Sequence, residues 1–508
     1  MSVQHPPSHP DAFDASVLLG GALHADPPRG LLPRALALLE VTSGHALAAL
    51  AGLLMLLNIA VCFPGKMMND SVNQYAEAVS GRFTDWHPPV MAWLWSVLRH
   101  LHDGPAPLLV LHLVTFWAGV GLIADAARRL GHRRAAVLIV LAGAFPPFIF
   151  MNANVIKDVG MAASLLAGIG IVFWWRSQAR RMPLTVIMLA AALFAYGLLV
   201  RTNAVFAIGP LLVYALAPAR WLRTFRLGVA ACVVAGVAVP VSHQVNRVLF
   251  DPAPREAVNS LLLYDIIGVA AHTGDTALVE PRATLDLYDL RQCYTPFWWD
   301  SFSSWGPCGA LVRRPDADRA AYGNGLAAQW LDTVREHPLA YLQHRLKHFN
   351  SELFFAVPLK HLRLTPEYRG DNPRFEPYEM FSPANVRFDI VRKNPAVWPV
   401  TWLVWGAVLL VFLARRTPTP AVLLARALVM SALAYSAAYF VIGVATDFRY
   451  HYWSMLATMI ATLLVLPDLA AGWRARVPSL TAGLTIVGIV ISVGLAARAL
   501  DFQAWVVP

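Results

Sequence analysis

The stretch MMNDSVNQYAEAVSGRFTDWHPP, residues 67–89, lies between an apolar run that ends at Phe63 and a Trp-rich apolar segment that begins at Val90. Asp70, Glu77, Asp85 and His87 stand there beside segments that carry almost no charge. The periodicity is helical: Asp70, Asn73, Gln74 and Glu77 recur at helical spacing while Val72, Tyr75, Ala76 and Val79 fill the other face. This predicts a short amphipathic helix lying in an interface plane and ended by Gly81. The DWHPP turn then starts a second helix with Pro88 at or near its first turn, where a missing N–H costs nothing. That helix, with Val90, Trp93, Leu94, Val97 and Leu98, is too short to span a bilayer and reads as interfacial too. A polar loop hung between long apolar segments is the pattern of a chain that crosses a membrane repeatedly.

The rest of the sequence agrees. Of 508 residues, 57% are hydrophobic and 14% charged. A spanning helix needs about 20 mostly apolar residues, and about eleven windows approach that criterion. They fall near 44–63, 107–127, 135–151, 159–175, 184–200, 204–217, 227–242, 396–414, 421–443, 451–467 and 480–499. The expected class is an all-α polytopic membrane protein. A net charge of +10 can signal nucleic-acid binding, but the placement of the basic residues excludes that reading. Arg128, Arg129, Arg133 and Arg134 follow the second window; Arg176, Arg180 and Arg181 the fourth; Arg220, Arg223 and Arg226 the sixth. Arg415 and Arg416 follow the eighth, and Arg474 and Arg476 the tenth. Every second exit is basic, so by the positive-inside rule those exits are cytoplasmic, and no nucleic-acid partner is expected.

This topology places the loop 64–106, the turn 152–158, Arg201 and the segment 243–395 outside the cytoplasm. Residues 1–43 are Pro- and His-rich without the features of a cleaved signal; they read as a disordered cytoplasmic tail in which His5, His9 and His24 are too spread to cage a metal. Transmembrane modules over 44–242 and 396–508 then flank a mixed, mostly helical extracytoplasmic domain over 243–395. Within it, 327–355 reads as one helix with Trp330, Val334, Leu339, Leu342 and Leu346 on a rough face, carrying His344, Arg345, Lys347 and His348 against the headgroups. Asp265 reads as a capped or surface aspartate. Cys293 and Cys308 flank YTPFWWDSFSSWGP; an oxidising compartment permits a disulfide there, worth about 3 kcal/mol in the chain-entropy model. Trp298, Trp299 and Trp305 read as a small core clamped by that bridge. Cys62 and Cys232 lie in apolar windows, where buried thiols are expected.

More ionisable residues mark window ends on the same side: Lys157 and Asp158 in NANVIKDVGM, Arg201 in LLVRTNAVF, and Asp447 and Arg449 in ATDFRYHYW. Charges at membrane depth cost about 2.5–3.5 kcal/mol on insertion scales and are functional candidates by default. His112, inside the second window, reads instead as a packed, hydrogen-bonded imidazole.

An outer loop with an early Asp, QYAEA, a Gly, DW and a PP-containing helix start resembles the first loop of GT-C glycosyltransferases. Among these it is most similar to bacterial relatives of protein O-mannosyltransferases and of lipid A aminoarabinose transferases. The resemblance extends to IKD at the start of the fourth window, the basic residue at the outer end of the fifth, and RY at Arg449–Tyr450. It implies a GT-C-like fold with Asp70 as catalytic base and Asp158 as the second acidic position, associated with a divalent cation or with orienting the site. It also implies that Arg201 and Arg449 hold a lipid phosphate. His87 stands where several relatives have Lys; with Lys157 and Asp85 it completes the expected phosphate-binding set. This chain has Asp70-Ser71 where many relatives have Asp-Glu, so no metal is assigned there and no other cofactor is expected.

The donor implied is a polyprenyl-phosphate sugar, because nucleotide sugars are absent outside the cytoplasm. The acceptor is a hydroxyl on a lipid, glycan or protein, at the outer (periplasmic) face of a bacterial cytoplasmic membrane, with inversion at the anomeric carbon. A transporter or flippase of lipid-linked glycan is the competing class. It predicts internal repeats and charges near the bilayer midplane, whereas this chain has no detectable repeat and its charges gather at one face.

Overall fold

The fold follows from a computed structural model that describes residues 43–255, 257–279, 287–303, 306, 308–309, 325–358 and 394–505. The expected tail 1–43, except Ser43, and Trp305 lie outside the described residues. Apolar sequence becomes helix throughout. The order is α1 (Gly44–Cys62), α2 (Asn69–Ser80), α3 (Val90–Leu98), α4 (Ala106–Arg129), α5 (Arg133–Gly143), α6 (Pro146–Asn152) and α7 (Lys157–Ser177). Next come α8 (Leu184–Leu199), α9 (Ala204–Leu216), α10 (Thr224–Phe250), α11 (Val258–Thr273), α12 (Leu287–Cys293), α13 (Gly325–Glu336) and α14 (Pro338–Glu352). The chain closes with α15 (Pro399–Ala414), α16 (Pro420–Ile442), α17 (Tyr452–Leu464), α18 (Leu466–Arg474) and α19 (Pro478–Ala499). The described residues contain no sheet, only isolated bridges at Lys66–Asn154, Thr84–Ala253 and Trp298–Ala445.

Among the described residues, six helices, α1, α4, α7, α10, α16 and α19, are long and apolar enough to cross a membrane. The count becomes eight if the bent pairs α5–α6 and α17–α18, the latter with its preceding turn, each make one span. This is a multi-pass membrane protein, but the count falls short of the expected eleven. The difference lies in α8, α9 and α15, with 16, 13 and 16 residues. At 1.5 Å per residue, 16 residues reach only about 24 Å against a hydrocarbon core of ~30 Å. Between α8 and α9 the chain leaves the helix and seats Arg201, 7% exposed, inside the protein. A buried guanidinium interrupts what hydropathy alone reads as nearly continuous.

α7 is the central helix. It packs along α4 and α8 and also touches α9, α16 and α17, with almost every residue from Asp158 to Phe173 buried. Gly119 of α4 permits the close approach: a Cβ there would lie 2.7 Å from the backbone nitrogen of Ala167. α1, α10 and α19 instead expose apolar side chains outward, such as Leu56, Val233 and Ile489. Cys62 is buried as expected, whereas Cys232 is exposed on the apolar face of α10.

The predicted helix over 327–355 is broken. His337 takes φ −126° and ψ 52°, and α14 starts at Pro338, because proline cannot donate to the preceding turn and disfavours helical geometry in the residue before it. The faces of α14 are also reversed from the expectation. His344, Arg345 and His348 are fully buried and Lys347 is 7% exposed, while Leu339 is 80% exposed.

Candidate functional site

α2 begins where expected and ends at Gly81, whose φ of +68° lies in the left-handed region. The N-cap of α2 is Met68, which frees the Asp70 carboxylate from any capping duty. Ser71 makes the local fixings instead: its hydroxyl accepts from the Met68 N–H at 3.2 Å and donates to the Val155 carbonyl at 2.7 Å. Lys66 pairs its backbone with Ala153 and Val155. These bonds lay the start of α2 beside the start of α7, where Lys157 and Asp158 sit. Both Asp70 and Asp158 stand in the first turn of their helices, where the helix dipole favours negative charge.

Three cations and one histidine converge on this pair of carboxylates. Arg449 Nη1 donates to Asp70 Oδ2 at 2.8 Å, and Lys157 Nζ lies 3.4 Å from the same oxygen. His87 Nε2 is 3.9 Å from Asp70 Oδ1. Burial alone would raise the Asp70 carboxyl, but Arg449, Lys157 and His87 together hold it well below the usual carboxylate range. His87 is pushed down to about 3, first by burial and then by the charge of Lys157, so it is a neutral imidazole near pH 7. Lys157 Nζ lies 2.6 Å from His87 Nδ1. An ammonium has only donors, so Nδ1 accepts and the ring proton sits on Nε2, toward Asp70.

A second group adjoins the first. Arg201 Nη1 is 2.5 Å from Asp158 Oδ1, and its Nη2 donates to the Tyr439 hydroxyl at 2.7 Å. The guanidiniums of Arg201 and Arg449 lie 5.0 and 5.3 Å from the centroid of one ring, Tyr450, which stacks on Tyr439 at 5.0 Å. Arg449 Nε reaches Asp447 Oδ2 at 2.8 Å. Burial raises the Asp447 carboxyl to about 6 against the pull of Arg449. Lys157 and Asp158, neighbours in sequence, thus take different partners instead of each other. Arg449 is an inward residue, its side chain 11% exposed.

Asp70, His87, Lys157, Asp158, Arg201 and Arg449 are therefore brought together. Asp85 is not: it accepts from the Arg255 backbone N–H, while its own N–H donates to the Ala253 carbonyl at 3.1 Å, tying the first loop to residues 253–255. Asp158, the candidate metal ligand, has the Arg201 guanidinium beside it. Among the described residues no group of three or more His, Cys, Asp or Glu is arranged to hold a metal ion. His112 is buried, with Nε2 3.4 Å from the Tyr196 hydroxyl.

Cys293 and Cys308 form a disulfide with a Cα–Cα distance of 6.0 Å. Trp299 packs with both cysteines against a core that includes Tyr264, Ile267 and Phe302. This loop holds the approach to Arg449: Trp299 N–H donates to the Val444 carbonyl at 2.8 Å, and Thr446 N–H bonds the Phe297 carbonyl. Beneath it lies a second polar network. Asp265, expected at the surface, is 1% exposed and pairs with Arg345 at 2.5 Å, His344 at 3.3 Å and the Trp330 indole at 2.7 Å. Arg345 Nη1 donates to the Gly443 carbonyl at 2.6 Å. Glu352, fully buried, lies 3.4 Å from His348 Nε2. Sequence reasoning missed Tyr439 and Glu352. A signal for Tyr439 is the Tyr435–Tyr439 spacing, one helical turn on the last two turns of a span; Glu352 gives none, because its burial depends on how α14 docks.

An all-helical, multi-pass membrane protein with buried cations and carboxylates gathered where several helices begin or end is the class these observations define. Residues 86–243 match the family model described as dolichyl-phosphate-mannose-protein mannosyltransferase. The match covers less than a third of the chain and agrees with the GT-C resemblance of the first loop. The matched region includes His87, Lys157, Asp158 and Arg201 but not Asp70 or Arg449. No curated protein and no solved structure matches the chain significantly.

Proposed function

We propose that the cluster around Asp70 is the transfer site, and that it moves a sugar from a polyprenyl-phosphate carrier to an acceptor hydroxyl by a single inverting displacement. The observation that carries this reading is the convergence of Arg449 and Lys157, from distant parts of the chain, on one oxygen of Asp70. The leaving phosphate gains charge in the transition state, and fixed cations in a low-dielectric site stabilise it. Arg449 and Arg201 offer two-pronged contacts to phosphate oxygens, Lys157 adds a point charge, and His87 a neutral N–H. Asp158 orients Arg201. Asp70 takes the acceptor proton as general base.

The same geometry couples binding to chemistry. Clamped by cations, the Asp70 carboxylate is a weak base. A donor phosphate competes for Arg449 and Lys157, lifts their hold and raises the basicity of Asp70 when the sugar is in place. We assign the site to the outer face of a bacterial inner membrane, because the basic window exits lie at the opposite helix ends. Residues 44–242 and 396–508 are the transmembrane modules, and 243–395 is the part that selects the acceptor. The test is to incubate the purified protein with radiolabelled polyprenyl-phosphate sugars and membrane extract. Label joined covalently to an acceptor is the expected result; label that only changes leaflet in proteoliposomes is the mark of a flippase and rules the reading out.

A further inference from the structure

At the opposite ends of α9 and α16 from Arg201 and Asp447, a cavity of about 610 Å³ is lined by Arg220, Arg223, Arg415, Arg416 and Arg426. No Asp or Glu lines it, and among the described residues none of the five arginines forms an ion pair. Arg426, 3% exposed, forms the floor. It donates to the carbonyls of Leu413 at 2.7 Å and Arg416 at 2.8 Å, so its hydrogen bonds are met while its charge is not neutralised. Arg416 stacks on Phe412 at 4.2 Å and keeps a buried Nη2 without a hydrogen-bond partner. Five uncompensated guanidiniums around one concavity repel one another, and an anion relieves that repulsion.

The rim identifies the source of the anion. Phe225, in the lining, is 83% exposed, and Leu216, at the end of α9, is 82% exposed. Large apolar side chains bared beside arginines at a helix end suit an acyl chain below a phosphate. We infer that this cavity binds the phosphate headgroup of an anionic phospholipid, such as phosphatidylglycerol, on the face opposite the transfer site. Basic pockets between helices at that level are suited to such headgroups. The bound lipid bridges the α9–α10 connection to the α15–α16 connection, and so braces the helices whose other ends carry Arg201 and Asp447.

The test uses the full-length protein in detergent, delipidated and titrated with phosphatidylglycerol or phosphatidylcholine of matched chains, with retained lipid read by native mass spectrometry. Phosphatidylglycerol should be retained at least about tenfold more tightly. Substituting the exposed Arg220, Arg223 and Arg415 together by Gln should weaken that retention about a hundredfold, with phosphatidylcholine binding and helical content unchanged. Equal retention of the two lipids, or phosphatidylglycerol retention that survives the triple substitution in a folded protein, overturns the inference. Displacement of phosphatidylglycerol by millimolar inorganic phosphate also overturns it, since the ligand would then be a soluble anion.

Discussion

Arg449 lies 379 positions after Asp70 in the chain, and its Nη1 donates to Asp70 Oδ2 over 2.8 Å. One bond thus joins the first polar loop to the last, and with Lys157 it sets both the charge state and the position of the proposed base. Asp70→Asn keeps the shape of the side chain but removes its proton affinity. Transfer should fall by about 10²–10⁴ while the protein stays folded and inserted, as read by initial rates of label transfer beside size-exclusion profiles. Near-normal rates remove Asp70 from the role.

Asp447 gives a pH signature. Its carboxyl is raised to about 6, so between the ordinary value near 4 and about 6 the folded protein holds a proton that the unfolded chain has released. Stability therefore falls as pH rises through that window, and the penalty is complete above it. Asp70 has the opposite sign: its depressed carboxyl contributes stability above the ordinary value, lost only as pH falls through the folded one. Asp447→Asn should raise the melting temperature relative to wild type above pH 6, with the difference shrinking toward pH 4.5. A difference that is constant with pH contradicts this account.

Arg201 and Asp158 form a pair with side chains 8% and 1% exposed. Removing one partner leaves a buried charge uncompensated, at about 3–5 kcal/mol. Arg201→Ala should therefore lower thermal stability strongly, and Asp158→Asn added to it should restore part of the loss. Additive effects in that double-mutant cycle would show the two groups to be uncoupled.

The disulfide bears on the site through residues 297–299, which hold residues 444–446 just ahead of Asp447 and Arg449. Cys293→Ser should cost about 3 kcal/mol of stability and also raise the donor KM, because Arg449 loses its anchored approach. A stability loss with unchanged KM would confine the bridge to a structural role.

Asp85 serves as a contrast. It bonds backbone near Ala253 and Arg255 and none of the clustered cations, so Asp85→Ala should change donor KM less than about twofold, against a loss of at least tenfold for Lys157→Ala. Steady-state kinetics on the two variants decides it.

Hydropathy and charge in the sequence determined the membrane class, the short first-loop helix ended by Gly81, and the candidate set Asp70, Lys157, Asp158 and Arg201. These are local properties: apolar content sets partition into a bilayer, helical spacing sets amphipathicity, and an ionisable residue at a span end stands out without any partner being known. Only the tertiary structure decided who pairs with whom. That Lys157 turns to Asp70 while Asp158 turns to Arg201, that α14 buries its charges and exposes Leu339, and that Asp265 is internal all depend on how helices dock. Hydropathy likewise counts α8, α9 and α15 as spans, whereas the helices formed there have only 16, 13 and 16 residues. Pairing energies between buried charges depend on distances set by packing, and those distances are not written in any local stretch of chain.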